Sequence, residues 1–571
     1  MTCGIRPQHD QSQLVRTSFR VAASEGDVVP CAQPAGYMYM SLQPGTRVAL
    51  HSLRARADLN DREATLVEYC DGRWNAVLIG GGEGVRLRPE NLTAVSSSPQ
   101  EETAVAPPID DIYREIMVRP GCGRGAIARQ HLCAGSTVEN FSSFPFAALL
   151  LKPSGTKRCE RCMRTVSDDD DPAATSWLAG ISPRGLGAVY CSALCQSVDL
   201  TENQHEAALR VSPLPALVDQ WEPRLAARCL WTRVRGGQSD VDAALFDEMT
   251  AEASEVSDDA SISAAACALE GFLPPGATAS DFASLLRRLR ANAFMISDDA
   301  AGQTIGAGCY PRAAVLNHSC APNCVLTCGL GAELRVRTYC AVPAGTELVH
   351  SYVDLTRATA ARQRVLHAAY AFDCVCNRCV NGLRVGGEDV DSLIDAASDM
   401  AHEGIRVEPA SAEEADPIEA SRKLLREASE RGLLKDDGAA QAAAQFAWTA
   451  LEIRRAHCHR LSILRFEAEV LMGQLAMCTG DSGLGRATEC GRNAVAFLEV
   501  ALSHVPWHPK LSTARMLLAV CEGRGGDTTA GLRLMEKCVP SLMITHGAEH
   551  TLTRRAQGLA SAFIEAERSS R

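Results

Sequence analysis

The chain has 571 residues, several times the usual domain length of about 100–150 residues, so a single compact core is excluded. Hydrophobic residues make up 46% of it, and no apolar run reaches the roughly 18 residues that a membrane-spanning helix needs, so we expect no membrane partner. Its 69 acidic and 57 basic residues give a net charge of -12. This charge disfavours direct nucleic-acid binding and suits a basic peptide or protein partner.

Residues 1–36 are mixed and polar, and we predict a flexible N-terminal arm there. The first 26 residues contain no apolar signal-peptide core, which argues against secretion and leaves a transit peptide open. We therefore expect a cytoplasmic or nuclear protein, or one found in both compartments. Its cysteines should then be reduced thiols or metal ligands rather than disulfides.

Short apolar runs alternate with turns in residues 37–95, which predicts a small β-barrel. This stretch resembles SH3-like modules through Gly72-Arg73-Trp74 and Arg88-Pro89-Glu90-Asn91-Leu92. We interpret it as a binding or packing module. The Ser- and Pro-containing residues 96–111 that follow are predicted to be a linker.

The last part of the chain, 385–571, is rich in Ala, Leu and Glu with helical periodicity. The clearest segments are 418–434, 439–478, 486–505 and 511–521. The sequence LAMC at 475–478 recurs as LAVC at 518–521, and each copy precedes a Gly and an Asp. Helix pairs that stack with a repeat of roughly 34–47 residues are typical of TPR-like arrays. We therefore predict a TPR-like all-α domain that binds protein partners.

Cysteine motifs stand out between these two parts. With 24 cysteines in the chain, about one pair is expected by chance at any given separation, so an isolated pair carries little weight. Three motifs occur together, however. They are Asn317-His318-Ser319-Cys320, then Gly345-Thr346-Glu347-Leu348 leading to Tyr352, and then Cys374-Val375-Cys376 with Cys379.

In this order the three motifs resemble the SET-domain lysine methyltransferases. Upstream, Gly123-Arg124-Gly125 is similar to the turn that opens SET domains, and Asn292-Ala293-Phe294 is similar to the NxF segment of the family. The resemblance implies that Tyr352 is catalytic and that Phe294, Tyr370 and Phe372 line a lysine channel. It also implies that S-adenosylmethionine is bound by Gly123, Arg124, Gly125, Asn292, Asn317, His318, Tyr352 and Phe372. For Tyr310 we expect core packing instead.

A further cysteine cluster, Cys159-x2-Cys162 and Cys191-x3-Cys195 followed by His205, interrupts the SET motifs. Such an insertion resembles that of the SET-and-MYND family, whose MYND finger has eight ligands for two zinc ions. Ser182, Gly185 and Leu209 stand where three ligands of one zinc should be. We therefore predict one zinc on Cys159, Cys162, Cys191 and Cys195, with His205 left over. The alternative is four free cysteines.

A second zinc is predicted at Cys374, Cys376 and Cys379. Three ligands so close in sequence cannot complete a tetrahedron, so a distant fourth thiolate is required. The family resemblance points to Cys320, while Cys324 and Cys328 are the alternatives nearby.

The predicted architecture is an α+β multidomain protein in which a SET β-fold is split by a MYND-type finger. The SH3-like barrel precedes this part and the TPR-like all-α domain follows it. Five segments are predicted between the barrel and the array. They are the first SET part at 112–158, the degenerate finger at 159–209, a helical insert at 210–291, the SET core at 292–356 and the post-SET segment at 357–384.

The predicted function is S-adenosylmethionine-dependent protein lysine N-methylation, on histone or non-histone substrates. One alternative is a catalytically idle SET/MYND scaffold that binds protein partners. Another is a zinc-dependent nucleic-acid-binding protein, which the acidic charge of the chain disfavours.

Overall fold

The computed structural model describes the chain in segments. These are residues 47–53, 56–60, 62–70, 73–78, 84–88, 91–94, 116–119, 123–151, 157–166, 189–202, 221–250, 259–298, 303–329, 332–395, 417–432 and 437–569. Contacts divide the chain into two compact units, Arg20–Ala106 and Met1–Phe19 with Pro107–Arg571. The predicted N-terminal arm and the predicted linker at 96–111 lie outside the described residues.

The smaller unit contains a five-stranded antiparallel sheet in the order β4-β3-β2-β1-β5. Its strands are β1 (Arg47–Leu50), β2 (Glu63–Cys70), β3 (Arg73–Leu78), β4 (Gly84–Leu87) and β5 (Leu92–Ala94). Alternate positions point inward, so that Val48 and Leu50 of β1 are buried against Leu59, Leu87 and Leu92. All five strands lie within residues 37–95, the stretch in which apolar runs alternate with turns.

In the larger unit, three small sheets carry the motif residues. The strands are β6 (Ile116–Arg119), β7 (Gly123–Ile127), β8 (Ala147–Leu150), β9 (Ala293–Asp298), β10 (Gln303–Cys309), β11 (Asn317–His318), β12 (Cys324–Cys328), β13 (Leu334–Thr338) and β14 (Glu347–His350). They form sheets ordered β8-β10-β9, β11-β14-β7-β6 and β12-β13. Because β11 is parallel to β14, with His318 opposite His350, the Asn317-His318 motif lies beside the strand that leads to Tyr352.

Five α-helices of the described segments accompany these sheets. They are α1 (Ala193–Glu202), α2 (Trp221–Arg235), α3 (Asp240–Asp247), α4 (Asp259–Leu269) and α5 (Ala279–Asn292). Helix α5 begins with a capping box in which Thr278 and Asp281 each bond the other's backbone N–H. Its buried face includes Phe282 and Leu286, and the helix ends at Asn292, directly before β9. The NxF segment therefore spans the junction of a helix and a strand.

After β14 the chain forms a short, mostly helical segment. It consists of α6 (Thr359–Tyr370), α7 (Asn377–Asn381), a hairpin of β15 (Arg384–Val385) and β16 (Glu388–Asp389), and α8 (Val390–Asp395). Helix α6 ends with Ala371 in the left-handed conformation at a φ of 56°, and its N–H donates to the carbonyl of His367. For a residue other than Gly this conformation costs about 1–2 kcal/mol. The sharp turn it makes separates Tyr370 from Phe372.

The rest of the described chain is helical. The helices are α9 (Pro417–Gly432), α10 (Asp437–His457), α11 (Ile463–Cys478), α12 (Leu484–Ala501), α13 (Pro509–Arg524), α14 (Thr528–Thr545) and α15 (Thr551–Ser569). Consecutive helices pack on each other, and the repeated LAMC and LAVC segments lie on α11 and α13. There Cys521 Sγ lies 3.5 Å from Met477 Sδ, so the two copies are in contact.

One predicted helical segment differs in the structure. Residues 439–478 are not continuous, because α10 ends at His457 and α11 begins after Ser462, whose hydroxyl accepts a hydrogen bond from the N–H of Leu464. The apolar periodicity continues across this break, and neither Gly nor Pro occurs in it. The N-cap at Ser462 is the physical cause of the break.

The helical array packs on the SET part within the same unit. A common apolar cluster contains Cys320, Leu366 and Val390 together with Ile463 and Phe497 of the array. Polar contacts accompany it, including a 3.0 Å ion pair between Lys510 and Asp354. Among the described residues, no helix has both the length and the apolar character to cross a bilayer.

Candidate active site and metal sites

The Gly-Arg-Gly turn of β7 adjoins the Asn317 motif closely. Asn317 Nδ2 donates to the carbonyl of Arg124 over 3.0 Å and to Glu347 Oε1 over 2.9 Å. A Cβ atom on Gly125 would lie 2.6 Å from Glu347 Oε1 and 2.7 Å from Asn317 Nδ2, so a larger residue would have to displace these two hydrogen-bonded side chains. Three separate motifs thus meet at one hydrogen-bonded junction.

Gly123, at the start of the same turn, is different. It has a φ of +69°, which favours glycine, and no described atom lies within 4 Å of the position that its Cβ would take. The turn is therefore packed at Gly125 and open at Gly123.

Two predicted cofactor contacts have side chains that bond elsewhere. The guanidinium of Arg124 pairs with the Glu248 carboxylate over 2.6 Å and donates to the Glu248 carbonyl over 2.7 Å. Asn292 Nδ2 donates to the carbonyls of Thr250 and Arg288. Both side chains therefore hold the segment after α3.

The predicted channel residues come together around Tyr352. The centre of its ring lies 4.8 Å from the ring of Tyr370, 4.9 Å from His350 and 5.3 Å from His318. The ring of Phe372 lies 6.1 Å from that of His318 and 6.5 Å from that of Tyr370. On the other side, the ring of Phe294 lies 6.0 Å from that of His350. We call Phe294, His318, His350, Tyr352, Tyr370 and Phe372 the aromatic cluster.

The hydroxyl of Tyr352 is fixed within this cluster. It donates a 2.7 Å hydrogen bond to the carbonyl of Leu316, and burial raises the pKa of Tyr352 above its ordinary value. The group therefore stays a neutral phenol. Tyr310, in contrast, is fully buried with its hydroxyl donating to the carbonyl of Ala332, as the core-packing interpretation expects.

His318 connects the aromatic cluster to a group of cysteines. Its Nδ1 accepts a 2.9 Å hydrogen bond from the N–H of Tyr352, and its Nε2 lies 3.2 Å from Cys320 Sγ. The sulfur atoms of Cys320, Cys374, Cys376 and Cys379, the post-SET cysteine group, all lie within 4.8 Å of one another. The alternatives Cys324 and Cys328 lie on β12 instead, buried in two other apolar clusters.

The geometry of this group suits a tetrahedral metal ion. Cys320 Sγ and Cys379 Sγ are 3.5 Å apart. A tetrahedron with metal–sulfur bonds of about 2.3 Å has sulfur–sulfur edges of about 3.8 Å. Hydrogen bonds from Cys320, Cys376 and Cys379 lower the pKa of Cys374. The four thiols fit a closed structural site.

Two buried arginines and a histidine lie close to the post-SET cysteine group. The buried guanidinium of Arg362 donates through Nε to Cys320 Sγ over 3.2 Å, and it pairs with Asp391. Arg378, also buried, bonds the same carboxylate over 2.9 Å. From the array, His504 Nε2 lies 3.0 Å from the carbonyl of Cys320. Sequence reasoning missed these residues, because isolated Arg and His residues in helical segments carry no motif.

The second group, Cys159, Cys162, Cys191 and Cys195, is the MYND-like cysteine group. Its sulfur atoms also lie within 4.8 Å of one another, with 3.5 Å between Cys162 and Cys191 and 3.6 Å between Cys191 and Cys195. A hydrogen bond from Cys162 lowers the pKa of Cys159 to about 5. The group thus fits a tetrahedral ion as well. His205, Ser182, Gly185 and Leu209 lie outside the described residues.

Residues 123–353 match the family model of the SET domain. The chain is 27% identical over 286 residues to N-lysine methyltransferase SMYD2-A of Danio rerio, which covers 47% of this chain and 60% of that protein. It is also 36% identical over 107 residues to histone-lysine N-methyltransferase SMYD3 of Mus musculus, covering 19% of this chain and 24% of that protein.

Over residues 123–353 the chain is thus similar to the SET domain, and over about half of its length it resembles the SMYD lysine methyltransferases. A third relative, human N-lysine methyltransferase SMYD2, is 27% identical over 278 residues, which cover 46% of this chain and 58% of that protein. The chain therefore spans less than two thirds of the length of these curated relatives. The SMYD-like part is of mixed α and β structure and continues into the helical array.

Proposed function

We propose that this SMYD-like protein is a protein-lysine N-methyltransferase that uses S-adenosylmethionine and acts on histone or non-histone lysines. The observation that carries the proposal is the aromatic cluster around Tyr352, which adjoins the Asn317-His318 motif and the Gly-Arg-Gly turn. Three rings lie within 5.3 Å of the Tyr352 ring, and the Asn317 amide and the Arg124 carbonyl are hydrogen-bonded nearby. This combination suits an apolar lysine chain beside a polar cofactor.

The residues at the turn fit a bound S-adenosylmethionine. No described atom fills the space at Gly123, and Asn317, which precedes His318 on β11, donates to the carbonyl of Arg124 in the same turn. We assign the cofactor to Gly123, Gly125, Asn317, His318, Tyr352 and Phe372, with Arg124 and Asn292 as further proposed contacts. When bound, the cofactor supplies the electrophilic methyl group.

The side chains of the cluster prepare the amine. A lysine ammonium has an ordinary pKa of about 10.4, and transfer into an apolar channel favours the neutral, nucleophilic form. Phe294, Tyr370 and Phe372 provide the apolar walls and exclude water. Because the Tyr352 hydroxyl donates to Leu316, its oxygen lone pairs remain available to accept an N–H of the amine or to contact the methyl group. Tyr352 thus aligns the attacking nitrogen.

We further propose two zinc ions, one in each cysteine group. Four thiolates make a closed structural site, so the ions would hold chain segments together rather than activate water. In the post-SET cysteine group the metal would tie residues 374–379 to Cys320. This tie would hold Tyr370 and Phe372, which immediately precede Cys374, against His318 and Tyr352.

The outer parts are proposed as binding modules. We infer that the β-sheet unit is an SH3-like barrel and that the array is a TPR-like domain contacting protein partners, with the SET, MYND and post-SET boundaries as predicted. The proposed location is cytoplasmic, nuclear or both. Each part can be tested separately by affinity capture with the full chain, after substitution of exposed residues on that part alone.

The central experiment combines cofactor binding with methyl transfer. We expect the full chain to bind S-adenosylmethionine in calorimetry and to transfer labelled methyl to core histones or to proteins of a cell extract. Tyr352→Phe should keep cofactor affinity but lower kcat by about 10²-fold, because one oriented hydroxyl is lost. Tyr339→Phe, a buried tyrosine outside the cluster, is the matched control. A wild type that binds no cofactor would instead support the idle scaffold.

A further inference from the structure

Glu347 is the residue of the Gly-x-Glu-Leu motif to which the family resemblance assigns no role. It begins β14, and its Oε1 accepts a 2.9 Å hydrogen bond from Asn317 Nδ2. The two side chains share one face of the sheet, because Asn317 pairs with Val349, two positions after Glu347. Gly125 leaves room for this amide–carboxylate pair, since a Cβ atom there would lie within 2.7 Å of both groups. The pair is therefore part of the junction of β7, β11 and β14.

Hydrogen bonds fix the direction in which the Asn317 amide points. Its Nδ2 donates to the carbonyl of Arg124 over 3.0 Å as well as to Glu347, so both amide hydrogens are used. An amide turned the other way would place its own oxygen against these two acceptors, which is unfavourable. The oxygen Oδ1 therefore points away from them. Among the described residues Oδ1 has no donor, and because Asn317 is only half-buried this oxygen stays open to solvent.

A group that binds Oδ1 must donate a hydrogen bond, and the nearby carboxylate of Glu347 favours a positive charge on that group. S-adenosylmethionine has two positive groups, a sulfonium without any N–H and an α-ammonium with three. Only the ammonium meets both requirements. We propose that Glu347 is a positioning residue for the cofactor, which holds the Asn317 amide so that its oxygen receives the α-ammonium. This inference rests on the proposed function, in which Asn317 is a cofactor contact, and adds a residue that acts through it.

Removing the carboxylate should weaken cofactor binding through the amide. In Glu347→Ala one amide hydrogen of Asn317 loses its acceptor, so the amide can turn and present its NH₂ group to the ammonium, which is also a donor. We expect the dissociation constant of S-adenosylmethionine, measured by calorimetry on the full chain, to rise about tenfold. Glu347→Gln keeps a carbonyl oxygen that can accept the same hydrogen bond, and it should recover most of this loss.

Two cofactor analogues separate positioning from a general loss of structure. S-adenosylhomocysteine keeps the α-ammonium, whereas its deaminated analogue has hydrogen in place of the amino group. Glu347→Ala should weaken binding of the first about tenfold and of the second less than about twofold. Because Glu347 acts through the amide, adding Glu347→Ala to Asn317→Ala should cause no further loss of affinity for S-adenosylhomocysteine.

Glu333→Ala is the matched control. Glu333 precedes β13, is also half-buried and accepts a 2.9 Å hydrogen bond from Arg335 Nε, so its loss should leave the affinities for both analogues unchanged. Equal weakening of both analogues in Glu347→Ala, or an unchanged affinity for S-adenosylhomocysteine, would overturn the inference while leaving the proposed function standing. A wild type that binds neither S-adenosylmethionine nor S-adenosylhomocysteine would overturn the proposed function itself.

Discussion

The two cysteine groups have the same composition and different surroundings. The MYND-like cysteine group packs with a small apolar cluster of its own, mainly Val166 and Tyr190, whose hydroxyl donates to Asp199. The post-SET cysteine group belongs instead to a cluster that also contains residues of α6, α8 and the array. One group brings together the segments 157–166 and 189–202, whereas the other lies in an apolar cluster shared by three parts of the chain and Tyr352. Equal sets of ligands can therefore have unequal importance for function.

Removing one cysteine ligand from each group should give the largest difference between the two groups, in both methyl-transfer activity and melting temperature. Cys374→Ser and Cys162→Ser should each reduce the bound zinc from two equivalents to one, as measured by elemental analysis. Cys374→Ser should also abolish methyl transfer, because Tyr370 and Phe372 lose their anchor, and it should lower the melting temperature most.

Cys162→Ser should retain most of the transfer activity. If the two variants lose activity equally, the MYND-like cysteine group is not local in its effect and the comparison fails.

Substituting one arginine beside each cysteine group should give a smaller difference, which is seen in the free energy of unfolding. Arg362 is buried between Cys320 and Asp391, so Arg362→Met leaves a buried carboxylate with one partner fewer and should destabilise the protein by about 3 kcal/mol. Arg161, which pairs with Glu202 near the MYND-like cysteine group, is 41% exposed. Arg161→Met should therefore cost less than about 1 kcal/mol.

The stability of both variants would be measured by urea unfolding, and their zinc retention by the rate of zinc release to a chelator. Arg362→Met should release one zinc faster than wild type, while Arg161→Met should not. Comparable unfolding midpoints for the two variants would contradict the role given to Arg362.

Acid should weaken the contact between the array and the strand region that carries Tyr339. His508 stacks on Tyr339, and burial, with a smaller contribution from Lys510, lowers its pKa from 6.5 to about 4. The folded state therefore keeps His508 neutral while the unfolded state protonates below pH 6.5. Its contribution is complete above pH 6.5 and is lost as pH falls towards 4, by at most about 1.4 kcal/mol per pH unit.

His508→Gln should flatten this part of the stability profile in denaturation experiments at about pH 7 and about pH 5. The segments of the MYND-like cysteine group, 157–166 and 189–202, contain no histidine. An unchanged slope in His508→Gln would show that other groups cause the acid sensitivity.

The sequence reveals the ligands of both groups but not their surroundings. Cysteines at short spacings and the NHSC motif are local patterns, so they can be recognised from the order of the residues alone. Arg362, Asp391 and His504 become meaningful only when α6, α8 and the array pack together. The end of α10 at His457 was missed for a related reason, because the periodic pattern continues although the backbone turns.

His350 illustrates the same limit at the aromatic cluster. Its position two residues before Tyr352 is plain in the sequence, but its unpartnered nitrogen is a property of the packed rings. The strand pairing of His318 with His350, which places both histidines beside Tyr352, also requires the parallel register of β11 and β14.

The contact between His504 and the Cys320 carbonyl bears on how the protein is made. A growing chain that has emerged as far as residue 353, the last residue matched by the SET model, contains Tyr352 but lacks Tyr370, Phe372 and three of the four post-SET cysteines. The array residue that touches this group follows about 150 residues later in synthesis, which takes roughly 10–30 s at typical elongation rates. During that interval the ribosome-bound chain carries the proposed catalytic tyrosine without its complete channel, so the proposed methyl transfer would begin only after residue 504 of the array has been synthesised.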